Sequence, residues 1–233
     1  MDYQYDYNKI SFKSFFTMML KWLLIGLGLT ALTSVVFSLF VESLFAIYFP
    51  IMIISCIVEI IMVIILVKNI RKLSINKAKN YFYIYSIING ITMSFIIYLI
   101  APGAVVLAFL LTCAYFGLLY TIVKNTDYDF STIGRMSFVA LPILVLGYIV
   151  LLFVNAPILF YLIITFDLIV FTGLTLYDMR KVKILYEESS SEQMDSIALI
   201  CAFELYLDFI NIFIDILNLI ADNSGSVSRV EGK

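Results

Sequence analysis

The sequence predicts an all-α membrane protein of seven transmembrane helices. Three observations carry that expectation. Of 233 residues, 63% are hydrophobic and 14% charged, with a mean hydropathy of +1.03. A water-soluble domain is about half apolar and about a quarter charged, so its core could not absorb this surface, whereas lipid can. Seven apolar runs reach the roughly 20 residues that a helical span needs. The basic residues fall in alternate loops, as they do when successive helices cross and recross a bilayer.

Taken in order, the runs cover residues 20–41, 45–67, 81–100, 104–123, 136–154, 157–177 and 197–220. They divide the chain into an N-terminal segment 1–19, a seven-helix domain 20–220 and a C-terminal tail 221–233. The first run is too long for the apolar region of a cleavable signal peptide, and no A-x-A-like site follows it. Ala101-Pro102-Gly103 separates the third run from the fourth, and Asn155-Ala156-Pro157 the fifth from the sixth. Pro50 and Pro142 lie inside or near helix starts, where neighbouring helices can satisfy the freed carbonyl. Six helices with a re-entrant last segment is the competing topology.

Orientation follows from lysine and arginine. All fifteen except Arg229 and Lys233 fall on one side: before or at the start of the first run, between the second and third, between the fourth and fifth, and between the sixth and seventh. The three short loops on the other side carry none. The positive-inside rule then places the N-terminus in the cytoplasm and the C-terminus outside, in a multi-pass protein of the plasma membrane.

The chain has no histidine. That excludes Ser-His and Cys-His nucleophile pairs, H-E-x-x-H zinc sites and histidine-ligated haem. Cys56, Cys113 and Cys201 lie in apolar runs without paired spacing and read as small hydrophobes. Tyr177-Asp178 matches half of an intramembrane aspartyl protease signature, but the G-x-G-D partner is missing. No enzymatic activity and no nucleic-acid partner are expected. Matching pairs of broken half-helices, which would suggest a coupled transporter, are not evident.

The acids are placed differently from the bases. Glu59, Asp167, Glu204, Asp208 and Asp215 lie within spans, and Asp178 closes the sixth. A carboxylate at bilayer depth costs ~2.5–3.5 kcal/mol on insertion scales, and such residues usually face a polar interior and mark an ion or proton path. In the last run Glu204, Asp208, Asn211, Asp215, Asn218 and Asp222 recur at spacings of 4, 3, 4, 3 and 4. At about 100° per residue they form one stripe on a helix otherwise built of Leu, Ile, Phe and Tyr. Such a stripe belongs in the centre of a bundle or along a water-filled cavity. Interhelical hydrogen bonding accounts for the two asparagines, worth about 0.6 kcal/mol each. It does not account for the acids, since Asn would bond as well without the charge. If the last two helices pack antiparallel, Asp178 can meet Glu204 or Asp208. Two carboxylates in a low-dielectric site cannot both ionise cheaply, so such a pair can share a proton.

Several segments resemble one family. Leu205-Tyr206-Leu207-Asp208-Phe209-Ile210-Asn211-Ile212-Phe213 resembles the L-Y-L-D-F-I-N-L-F signature of the Bax inhibitor-1 family. Gly173-Leu174-Thr175-Leu176-Tyr177-Asp178 resembles its G-L-T-x-Y-D, and Asn89-Gly90-Ile91-Thr92-Met93-Ser94 its N-G-x-T-x-S. Lys21 to Leu27 and Leu29-Thr30-Ala31 echo its first helix. The match runs in order over nearly the whole chain. The resemblance implies six helices surrounding a central C-terminal seventh, and a pH-dependent Ca²⁺ leak. It implies Asp178 and Asp208 as the pH-sensing gate and as the oxygen ligands of the metal. A basic latch at the end of the second helix maps to Arg71 or Lys68. Protons and Ca²⁺ are then the expected ligands, the latter as the ion transported rather than as a cofactor. Some bacterial relatives resemble modulators of a membrane quality-control protease, so a non-enzymatic regulator binding such a partner is the alternative. The chain departs from the pattern in its extra acids, Glu204 and Asp215, and in a longer acidic loop (Glu187, Glu188, Glu192, Asp195). With Glu59, those two acids are further candidates for cation binding.

Overall fold

The computed structural model describes residues 9–69 and 75–223. They form seven α-helices: α1 (Phe12–Ser38), α2 (Phe45–Asn69), α3 (Ile75–Leu99), α4 (Pro102–Lys124), α5 (Ser131–Leu151), α6 (Pro157–Glu188) and α7 (Met194–Asn223). There is no strand among the described residues. Six helices are long and apolar enough to cross a membrane, and α2 holds a shorter apolar stretch, Pro50–Ile65.

The prolines punctuate as expected. Pro102 and Pro157 open α4 and α6, where the first helical position has no use for a backbone N–H. Pro50 and Pro142 sit inside α2 and α5. The last helix is one continuous element of 30 residues, which removes the re-entrant alternative. Of its apolar window 78% is buried, against 17% to 39% in the other spans. That is the burial expected of a helix surrounded by others.

All seven helices extend past the apolar runs read from hydropathy at one end or both, furthest at the start of α1 and the end of α6. α1 begins at Phe12, inside the segment read as 1–19, where the Ser11 hydroxyl accepts from the Ser14 amide. Its first turns bury Phe15 and Met19 completely. α6 continues to Glu188, so Asp178 does not close the helix but lies ten residues inside its end. Val182 and Leu185 keep one side of this extension buried while lysines and glutamates occupy the rest, a pattern that lowers mean hydropathy without breaking a helix.

The chain packs as two compact units. The first draws on Met1–Pro102 and Leu185–Tyr206, and so holds α1, α2, α3 and the first part of α7. In it, α3 packs on both α1 and α2. A Cβ at Gly90 would lie 2.6 Å from Thr33 Cβ and 2.7 Å from the Thr30 carbonyl oxygen. Gly90 is therefore what lets the α1 and α3 backbones approach, the role small residues play between membrane helices.

The second unit draws on Gly103–Ile184 and Leu207–Ser226. Its apolar core gathers Leu144 of α5 with Ile163, Val170 and Leu174 of α6. A Cβ at Gly173 would run into the Ser137 hydroxyl, so α5 and α6 meet closely there. Phe109 and Phe116 of α4 pack on Phe209 of α7. Val106, Leu110 and Leu118 of α4 and Val139, Ile143 and Leu146 of α5 are exposed, the surface a lipid-facing helix presents.

Candidate functional site

In the first unit, polar side chains within the helices find partners. Thr92 donates to Glu59 Oε1 at 2.7 Å, and Asn89 also hydrogen-bonds that carboxylate. The buried Tyr206 hydroxyl donates to Asn89 Oδ1 at 3.1 Å and lies 2.5 Å from Thr30 Oγ1. Thr30 in turn donates to the Ser86 carbonyl at 2.9 Å. Ser94 bonds the Ile91 carbonyl and the Tyr48 hydroxyl. The motif Asn89 to Ser94 is thus a strip of hydrogen-bonding groups around the close approach at Gly90.

The second unit holds Asp167, Asp178, Asp208 and Asp215. Its basic residues cluster at one end: Arg180 donates to the Thr126 carbonyl at 3.2 Å and lies 3.9 Å from Asp127. Asp178 is half-buried, two residues from Arg180. Asp208 is 3% exposed. Asp167 and Asp215 are 6% and 1% exposed and are close enough to act on each other electrostatically. Tyr148 of α5 donates its hydroxyl to Asp167 Oδ2 at 2.5 Å. Asp167 Oδ1 and Asp215 Oδ2 are buried without a hydrogen-bond partner. Along α7, Asp215 lies seven residues beyond Asp208, about 10 Å. Along α6, Asp167 lies eleven residues before Asp178, about 16 Å. Tyr115 of α4 bonds Thr172 of α6 at 2.8 Å, between those two acids.

The sequence-predicted residues therefore separate. Asp178, Asp208 and Asp215 belong to the second unit, while Glu59 and the half-buried Glu204 belong to the first. Asp215 is brought to Asp167, which the sequence marked only as an intramembrane acid. The Lys68 side chain and Arg71, the candidate latch, lie outside the described residues. No group of three or more Cys, Asp or Glu suited to a metal occurs among the described residues. Asn211 bonds the Leu207 carbonyl of its own helix at 2.7 Å rather than reaching across to another. Tyr148 and the Thr92–Asn89 support of Glu59 escaped sequence reasoning. Their signal was a hydroxyl or amide within an apolar run, which shows no partner until helices are placed side by side. No disulfide joins the three cysteines among the described residues.

A family model described as "Inhibitor of apoptosis-promoting Bax1" matches residues 12–225. A membrane protein of Streptococcus pyogenes serotype M1 is 31% identical over 227 residues, covering 94% of this chain and 97% of that one. The inner membrane protein YbhL of Escherichia coli strain K12 is 30% identical over 209 residues, 85% of this chain and 87% of its own length. A protein of Deinococcus radiodurans is 34% identical over 150 residues, 64% of this chain and 65% of its own.

Proposed function

The chain belongs to the Bax inhibitor-1 family of multi-pass membrane proteins, and on that premise we propose that it is a pH-sensitive cation leak channel, for Ca²⁺ above all, gated by Asp178 and Asp208. The observation that carries the reading is Asp208: a carboxylate 3% exposed, on a helix with no lysine or arginine from Met194 to Asn223. A group so placed is expensive to insert and is kept where it serves an ion or proton path. Asp178, in the same unit and beside Arg180, is the carboxylate at the basic end of α6. A protonated pair forms a hydrogen-bonded latch. A deprotonated pair repels or draws in a cation, and hard oxygen ligands suit Ca²⁺. The bilayer is the plasma membrane and the N-terminus faces the cytoplasm, on the argument of the basic loops.

The test is Ca²⁺ flux into proteoliposomes between about pH 5 and 8, wild type beside Asp208→Asn. Flux that varies with pH in the wild type and is pH-independent in the variant is the expected result. The second reading is a non-enzymatic regulator that binds a membrane quality-control protease or another partner. It draws on the ends of α6 and α7 beyond the apolar runs, where Glu188, Glu192 and Gln193 line a pocket. There Lys9 donates to the Glu187 carbonyl and Tyr186 to the Ile10 carbonyl. Absence of flux at every pH would transfer the assignment to that reading.

A further inference from the structure

We infer that Asp167, which Tyr148 holds by a hydrogen bond, and Asp215 form a second proton-binding site, separate from the Asp178–Asp208 pair, in which two buried acids of one unit hold one proton within the apolar length of the helices. Both acids are more than nine-tenths buried, and each keeps one oxygen, Asp167 Oδ1 and Asp215 Oδ2, without a hydrogen-bond partner. Buried polar atoms are ordinarily satisfied, so a bare carboxylate oxygen on each of two buried acids in one unit marks a missing ligand.

The groups that face the pair are few. From α5 comes Tyr148, whose hydroxyl already occupies Asp167 Oδ2. From α6 and α7 come the two acids themselves. From α4 comes neither acid nor base, since its one charged residue is Lys124 at its end. The nearest basic residues on α5 and α6 are Arg135 and Arg180, each thirteen residues away, about 20 Å along the helix. A double negative charge so far from any cation is too costly to persist, and such a site takes up a neutralising ligand.

That ligand is a proton rather than a metal. Ca²⁺ takes six to eight oxygens, while two carboxylates and a phenol already engaged as donor supply fewer. A proton needs one oxygen to bond, and each of the two acids has one left without a partner. Nothing else is consumed: the proton arrives from water and returns to it. The inference stands apart from the leak reading, since the site holds a proton whether or not the chain passes Ca²⁺.

The experiment is infrared difference spectroscopy of the full chain in lipid vesicles, acid against alkaline, with no divalent ion added. Expected is a protonated-carboxyl C=O band at neutral pH that is lost in Asp215→Asn and in Asp167→Asn. It should shift in Tyr148→Phe, where the phenol's hydrogen bond is gone, and survive in Asp208→Asn. A wild type with no protonated carboxyl at neutral pH would overturn the proposal. So would a band that survives both asparagine variants, or one abolished by equimolar Ca²⁺, which would make this a metal site. Because Asp208→Asn addresses only the gate, failure of the gate and failure of this site read out separately.

Discussion

Glu59 and Asp215 are both acids on apolar helices, yet their surroundings differ in kind. Glu59, in the first unit, receives hydrogen bonds from Thr92 and Asn89, and Asn89 is itself tied to Tyr206 and through it to Thr30. Asp215, in the second unit, is more deeply buried, has an oxygen with no partner and has another acid as its electrostatic neighbour. A saturated polar network rigidifies helix packing, whereas bare buried acids cost stability and are kept for what they bind. The first unit is thus built as a scaffold and the second as a site. That difference can be broken or sharpened by substitution.

The largest effect belongs to the scaffold's closest approach. Gly90→Leu places a side chain where even a Cβ meets Thr33 and the Thr30 carbonyl. Since backbone on one side and a β-branched residue on the other cannot both yield, the cost lies toward the top of the about 1–3 kcal/mol typical of overpacking. Thermal unfolding in detergent should show a large fall in Tm. An unchanged Tm would mean that α1 and α3 are not held at this distance.

Next comes a pair of conservative changes with opposite signs. Tyr206→Phe leaves Asn89 and Thr30 each short of a buried partner and should cost about 1–2 kcal/mol. Asp215→Asn keeps the shape, removes the charge beside Asp167 and should leave Tm unchanged or higher. Equal losses in the two variants would erase the distinction between scaffold and site.

What the sequence made legible follows the same division. Helix number, order and the prolines that open α4 and α6 were readable, because a span of apolar residues has few alternatives in lipid. The polar stripe of α7 was readable from its spacing, and Asp208 and Asp215 are indeed buried. Two things were not. Helix ends were missed, furthest at Phe12 and Glu188 and also at Ile75 and Ser131, because hydropathy reports where lipid stops and not where the hydrogen-bonded helix stops. Pairing was missed as well. Asp215 could be read as a neighbour of Asp208 on its own helix, but its meeting with Asp167, and the meeting of Asp167 with Tyr148, depend on the rotation of three helices. No single-helix periodicity contains that rotation.

The smallest effect comes from an acid of the second unit that lies outside the membrane-spanning segments and is paired. The Ser131 hydroxyl and amide donate to Asp129 Oδ1 at 2.5 and 2.9 Å, just ahead of α5. These bonds, the hydroxyl's first, hold the Asp129 carboxyl below its usual range. A carboxyl depressed in the folded state contributes stability above its unfolded value, near about 3.9, and loses that contribution as pH falls through the folded one. Asp129→Ala should therefore lower Tm slightly at neutral pH, and the difference from wild type should vanish in acid. Asp215→Asn should show no such loss at neutral pH. Aspartates in one unit would then differ in sign according to whether their oxygens are occupied by the protein or left for a ligand. If instead both variants lose stability at neutral pH and recover it in acid, Asp215 is a paired structural carboxylate like Asp129, and the second unit is scaffold throughout.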